Sequence, residues 1–386
     1  MFRGFHEESE GSPIKNDVHI GIDIGGTLAK VAVVAPRSRL AQVSSLFSDA
    51  LMIHEKVSTE EHDIVPNDLG FIASLPSIEL EFAMFSFSSR DISPLLEFLA
   101  ELLAPTDAGS CIVKVTGGGS VKFRIELEHR LPHLELVKID EIEAISTGFS
   151  FLVHRPGAAF IFKSVSDPRR SVPSLEVAAP FPLLLVNIGS GVSMIRIDGP
   201  GKYERVQGTP IGGGTVLGLG RALFGATTFE EIMELSMHGA SSEVDVSVGE
   251  LIGPPPDDDF WNYNTLASSL TKLNTTDLQG VSRADLAQSI VRMVSYNIGN
   301  IAFLVSCLNK CTRIYFSGKF VNKHIPTMEA ISYAVKFYEN WKPPPSAGST
   351  MVYESPRMNQ LREQKCEVRF LHHEGYVGAI GALIAR

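Results

Sequence analysis

Two short segments, Gly21-Ile-Asp-Ile-Gly-Gly-Thr27 and Val186-Asn-Ile-Gly-Ser-Gly-Val192, constrain the fold of this chain more than anything else in it. In each, an apolar, strand-forming run reaches a polar residue (Asp23 or Asn187), then Ile, then small residues, then a second strand-forming run. Both patterns predict a strand, a tight turn and a strand. Gly25, Gly26, Gly189 and Gly191 are expected to open backbone angles closed to other residues and to bare main-chain N–H groups to an anion. One such turn is an ordinary hairpin. Its recurrence predicts an α/β fold of duplicated halves with a nucleotide cleft between them.

The remaining bulk properties fit two globular domains. The chain has 386 residues, 44% hydrophobic and 20% charged, enough for two sizeable cores. A formal net charge of -10 argues against a nucleic-acid or anionic-membrane surface, which needs clustered Lys and Arg. No apolar run reads as a membrane span. Cys111, Cys307, Cys311 and Cys366 show neither zinc spacing nor disulfide density, so a reduced, cytoplasmic protein is expected. Cys307 and Cys311 read as buried apolar neighbours one helical turn apart.

The N-terminus, 1–16, reads as a disordered acidic tail. Strands are expected over 18–35, 79–86 and 112–115, with a helix at 93–103 opened by Ser93 and Pro94. The acidic stretch 57–68 reads as loop or sheet edge. The second half repeats the plan: strands at 183–188 and 192–198, a helix from Gly212-Gly-Gly214 to about Phe224, a core-facing helix at 283–308, and a strand at 313–316 ending in Ser317-Gly318. These elements divide the chain into a nucleotide-side domain, 17–116, and a substrate and dimerisation domain, 117–373. Pro254–Asp259 and an inserted loop, about 343–367, are too rich in Pro and polar residues for core elements. At the end, 374–386 carries Gly375, Gly378 and Gly381 at helical spacing, which predicts close packing back onto the first domain.

Phosphate chemistry is expected at four glycine turns: Gly25-Gly26 with Thr27, Gly117-Gly118-Gly119, Gly189, and Gly212-Gly213-Gly214, with Gly318 as a further contact. No GxxxxGK[ST] or GxGxxG is present, so amides from several turns must share the phosphates. Asp23 either holds Mg²⁺ through water or bonds the turn amides. Lys30 is either a phosphate ligand or a solvated lysine.

The chain resembles the eukaryotic-type (type II) pantothenate kinases of the sugar kinase, Hsp70 and actin superfamily. The likeness rests on Asp23-Ile-Gly-Gly-Thr-Leu-Ala-Lys30, Thr116-Gly-Gly-Gly119 with Lys122-Phe123, Asp140-Glu141, Val186-Asn-Ile-Gly-Ser-Gly-Val-Ser193, Arg205-Val-Gln-Gly-Thr209, Gly212-Gly-Gly-Thr215, Asn297-Ile-Gly299, and His373-Glu-Gly-Tyr376 with Gly378-Ala379. It implies a ribonuclease H-like duplicated fold and transfer of the ATP γ-phosphoryl group to pantothenate, the first step of coenzyme A synthesis. It implies Glu141 as the catalytic carboxylate, Ser190, Ser193 and Arg205 as pantothenate ligands, ATP and Mg²⁺ as cofactors, a homodimer, and coenzyme A or acyl-coenzyme A as feedback inhibitor. Phe337 and Tyr338 fall near the family's aromatic contributors at the dimer contact. The chain departs from the family at Pro254–Asp259, at Leu270-Thr271 where a glycine is usual, and at Lys319 where asparagine is usual. The rival readings are a sugar or N-acetylhexosamine kinase of the same fold, and a catalytically impaired subunit that regulates a partner kinase.

Overall fold

The structure is a computed structural model. It describes residues 18–55, 80–104, 111–132, 134–153, 158–162, 170–171, 181–253, 265–275, 280–321, 324–340, 365–372 and 375–385. The chain forms two compact units, 1–152 with 376–386, and 153–375.

The first unit contains β1 (His19–Ile24), β2 (Leu28–Pro36), α1 (Arg37–Leu46), β3 (Leu51–Glu55), β4 (Leu80–Ser88), α2 (Ser93–Leu102), β5 (Cys111–Thr116), α3 (Gly119–Lys122), α4 (Arg124–Arg130), β6 (Leu134–Lys138) and α5 (Glu141–Val153). Its sheet runs β3-β4-β2-β1-β5-β6. The strands β2, β4 and β3 are antiparallel to their neighbours, and β1, β5 and β6 are parallel. One face is sealed by Leu95, Phe98, Leu99 and Leu102 of α2, which recur at helical spacing and are buried. The Phe98 ring lies 4.5 Å from that of Phe85 and 5.1 Å from that of Phe87 on β4.

The second unit contains β7 (Ala159–Ile161), β8 (Arg170–Ser171), β9 (Leu183–Ile188), β10 (Val192–Gly199), β11 (Lys202–Thr209), α6 (Gly213–Phe224), α7 (Phe229–Ser236), β12 (Val246–Ser247), α8 (Val248–Ile252), β13 (Leu266–Ser268), α9 (Arg283–Leu308), β14 (Arg313–Ser317), α10 (Ile325–Asn340) and β15 (Glu367–Leu371). The main sheet runs β11-β10-β9-β14-β15-β7-β8. Here β9, β14 and β15 are parallel, and β10 and β11 form antiparallel hairpins. Ser282 caps α9 by accepting the Asp285 N–H, and Leu286, Ile290, Val294, Ile298 and Ala302 bury one stripe of that helix. Against the expectation that no apolar run reads as a span, α9 is by length and hydropathy alone long and apolar enough to cross a membrane. Instead, most of it is buried within the unit, against α10, α7 and α6.

Setting aside β3 of the first sheet and β7 and β8 of the second, each sheet places a hairpin strand, its partner, the first strand and two parallel strands in the same order. This third-second-first-fourth-fifth arrangement is the ribonuclease H-like core of the actin-like ATPases, present once in each unit.

The expected boundary at 116 is wrong. Residues 117–152 belong to the first unit because β6 pairs with β5 and α5 packs beneath the C-terminal helix, Val377–Ile384. A Cβ on Gly148 of α5 would lie 2.0 Å from the Val377 carbonyl oxygen, and one on Gly381 only 1.6 Å from that of Ala144. On its other side the same helix meets β1, where a Cβ on Gly21 would lie 2.2 Å from the Ala379 carbonyl. Glycine here serves approach between backbones. The tail 1–16, the acidic stretch, Pro254–Asp259 and nearly all of 343–367 lie outside the described residues. Glu367, assigned to that loop, instead begins β15.

Candidate active site

In the first unit, β1, β5 and β6 run parallel, so their carboxyl ends lie on one edge, where ligands of open α/β sheets bind. Asp23 is the last residue but one of β1, Thr116 ends β5 and Gly117 follows it, and Asp140-Glu141 follows β6. Register fixes this: Asp23 pairs with Thr116, and Val115 with Lys138. Asp140 caps α5 by accepting the N–H groups of Ile142 and Glu143, at 2.9 and 3.0 Å. The cap makes Glu141 the first helical residue, with its side chain exposed. A carboxylate in this first turn is stabilised by the helix dipole.

Asp23 is half-buried between two glycines. A Cβ on Gly117 would come within 2.6 Å of its Oδ1, and one on Gly378 of the C-terminal helix within 2.7 Å of its Oδ2. Burial pushes the Asp23 pKa up, and Lys30, its partner across the β1–β2 hairpin, pulls it part of the way back. Lys30 therefore answers to Asp23 and is not an isolated solvated side chain. A desolvated carboxylate at an open strand end, with no side chain on either flank, fits a hard cation such as Mg²⁺, which keeps most of its waters and takes one or two carboxylates.

The glycine turns serve differently from expectation. Gly25, Gly189 and Gly191 do not occupy the left-handed region; Gly117 at φ +81° and Gly318 at φ +110° do. Several amides assigned to phosphate are already used. Gly25 donates to Leu28 O, Gly189 to Gly191 O, Gly213 to Gly189 O and Gly214 to Ser190 O, while Gly212 donates to Thr215 Oγ1. The start of α6 is thus bonded to the β9–β10 turn and its amides are spent on that docking. Among the described residues, the amides of Gly26, Gly118 and Ser190 have no main-chain acceptor. Gly118 is exposed, and a Cβ there would meet open space.

In the second unit Ser190 is exposed in the turn, and Ser193 of β10 is half-buried, paired with Asn187 on one side and Gly208 on the other. A bulge after Met194 sets Arg205 opposite Ile195. This re-aims the arginine so that its Nη2 lies 2.8 Å from where a Gly208 Cβ would stand. The guanidinium therefore crosses Gly208 beside Ser193, bringing a hydroxyl and a cation together. Gly378 was read from its spacing as a packing residue and Gly208 only as part of the Arg205–Thr209 motif; their places beside Asp23 and Arg205 are what the sequence did not show.

The departures have local explanations. Lys319 is ion-paired with Glu230. Leu270 stands at φ 59°, where glycine would rest without strain, and Asp245 accepts its N–H. Phe337 lies in an aromatic ladder, 6.0 Å from Tyr333, which lies 6.2 Å from Tyr296. Cys307, Cys311 and Cys366 are buried thiols, with Cys311 just beyond the end of α9; no metal-holding cluster occurs among the described residues.

The family profile described as Fumble matches residues 19–344. Pantothenate kinase 1 of Arabidopsis thaliana is 32% identical over 94% of this chain and 84% of its own length. Pantothenate kinase 2 of the same plant is 31% identical, and a mouse protein named 4'-phosphopantetheine phosphatase 30% identical, over 95% and 96% of this chain. The chain spans only 38% and 41% of the length of those two relatives. A family profile that matches 19–344, most of the sequence, means that this chain belongs to the Fumble family, that of the eukaryotic-type pantothenate kinases.

Proposed function

We propose that the chain is an ATP-dependent pantothenate kinase that transfers the γ-phosphoryl group to the primary hydroxyl of pantothenate, giving 4'-phosphopantothenate and ADP. The observation that carries this reading is the gathering of Asp23, the Gly117–Gly119 loop and Glu141 at one carboxyl edge of parallel strands. Two strand spacings separate β1 from β6, about 10 Å, enough to admit a phosphoryl group between the carboxylates.

Glu141 accepts the acceptor's hydroxyl proton as the oxygen bonds to the γ-phosphorus and the bond to the β,γ-bridging oxygen breaks. Asp23 holds Mg²⁺, which supplies charge neutralisation on the phosphates. The amides of Gly26 and Gly118 bind phosphate oxygens, and Ser190 is an acceptor ligand, as the resemblance implies. Gly117 and Gly318 give the strand ends their shape, and Gly212–Gly214 fix the acceptor-side turn from behind. Ser193 and Arg205 bind the acceptor's polar groups and carboxylate, and Lys30 holds the Asp23 carboxyl in place. A cytoplasmic homodimer inhibited by coenzyme A or its acyl esters completes the proposal on the resemblance alone.

The test is product formation by the purified chain with Mg-ATP and pantothenate, beside glucose and N-acetylglucosamine. Glu141→Gln should lower kcat by about a hundredfold or more with an unchanged melting temperature. Turnover of a sugar instead of pantothenate, or a Gln variant with full activity, overturns the assignment. Because one relative is named a phosphatase, release of phosphate from 4'-phosphopantetheine should be measured in parallel, and it should be absent.

A further inference from the structure

Four side chains form a polar row across the first unit's sheet. Ser86 of β4 pairs with Lys30 of β2, Lys30 with Asp23 of β1, and Asp23 with Thr116 of β5. Directly paired residues share a face, so the row lies on one side of the sheet. Its outer end is closed by Tyr376, hydrogen-bonded to Ser86. Its inner end is not closed. Thr116 is fully buried, at 0% exposure, and its Oγ1 has no hydrogen-bond partner.

A buried orphan hydroxyl costs stability, and natural cores rarely carry one without a use. Valine has the same shape and a higher strand propensity, so packing does not explain the threonine. The one ionisable side chain directly paired with Thr116 is Asp23, held between Gly117 and Gly378, neither of which carries a side chain.

We infer that Thr116 is a positioning residue whose hydroxyl donates to the Asp23 carboxylate only when a magnesium nucleotide is bound, completing the row and fixing the carboxylate towards the cation. This rests on the proposed nucleotide function and adds a residue to it. In the ligand-free protein the bond is unmade and the hydroxyl is a cost to stability. In the loaded state the lone donor meets its acceptor.

Thr116→Val and Thr116→Ser separate this from a packing role. The full chain is titrated with ADP by calorimetry, once with Mg²⁺ and once with EDTA, and melting temperatures are recorded without ligand. Thr116→Val should melt at or above wild type, yet bind Mg-ADP about tenfold more weakly, with the difference vanishing in EDTA; Thr116→Ser should restore affinity to within about twofold. Equal Mg-ADP affinity in wild type and Thr116→Val overturns the inference while leaving the kinase reading intact. So does a valine variant that melts lower, or a loss of affinity that persists in EDTA. A wild-type chain that binds no Mg-ADP removes the nucleotide reading and this inference with it. Because ADP contains no acceptor, an error in the acceptor's identity would leave these results unchanged.

Discussion

The β1–β2 turn and the β9–β10 turn are two copies of one device that differ in a single chemical choice. In both, a polar residue near the strand end precedes Ile, and its parallel neighbour carries a hydroxyl followed by a left-handed glycine: Asp23 with Thr116-Gly117, Asn187 with Ser317-Gly318. The two hydroxyls are alike even in being buried without a partner. Yet the first copy holds a carboxylate and the second an amide. The first is flanked by glycines that leave the charge approachable, whereas the second is bonded to the start of α6. The two turns share a scaffold, and one side chain sets the proposed cation ligand apart from its counterpart.

The shared glycines give the largest expected effect. A Cβ on Gly318 would stand 2.0 Å from the Ile188 carbonyl oxygen, and one on Gly117 2.6 Å from that of Ile24. Both are backbone collisions at strained φ, so Gly318→Ala and Gly117→Ala should each destabilise by about 3 kcal/mol or more in denaturant unfolding. Tolerance of alanine at either position would mean that the copies do not share this strand end.

Exchanging the differing residue tests the assignment of charge. Asp23→Asn makes the first copy resemble the second and should lower kcat by about a hundredfold to a thousandfold. Asn187→Asp should not substitute for it, because no second cation site follows from an added carboxylate alone. Restoration of turnover in the double variant would break the comparison.

The smallest effect is in pH dependence, and its sign differs between the units. Asp23 has a raised pKa in the fold, so its contribution is present below the unfolded value of 3.8 and is lost as pH rises through the folded value. His324 of the second unit is buried, and burial pushes its pKa down. Its Nδ1 accepts the Thr327 N–H at the start of α10, and its Nε2 lies 3.0 Å from the Met233 carbonyl. This contribution is present above the unfolded value of 6.5 and is lost as pH falls through the folded value. In metal-free buffer, acidification from 7 to 5 should therefore lower the stability of wild type relative to His324→Asn. Wild type relative to Asp23→Asn should gain. Parallel melting curves for each pair check both signs.

Both hairpins were legible because a two-residue period changes to glycine at a fixed place, and α9 because its apolar stripe is long and regular. What sequence could not show depended on tertiary approach. β15 begins in a stretch that reads as loop, and it becomes a central strand only because β14 presents a ladder to it. The domain boundary was missed because α5 is placed by Gly148 and Gly381, which meet across most of the chain's length. Of the site, Asp23 and Glu141 were visible by type and motif. The spent amides of Gly213 and Gly214 were not, since a helix start looks the same whether it faces phosphate or a neighbouring turn. Arg205 was visible by motif, but its route across Gly208 depends on a bulge.

The C-terminal helix carries a consequence for the order in which the molecule is made. It lies between β1 and α5 and contributes Gly378 beside Asp23, and the chain reaches it only after all of 153–375 has been synthesised. The second unit is continuous in sequence and can complete its core during synthesis, whereas the first, though begun earlier, is finished last. The carboxylate proposed to hold the cation thus acquires its full surroundings only after the second unit has been made.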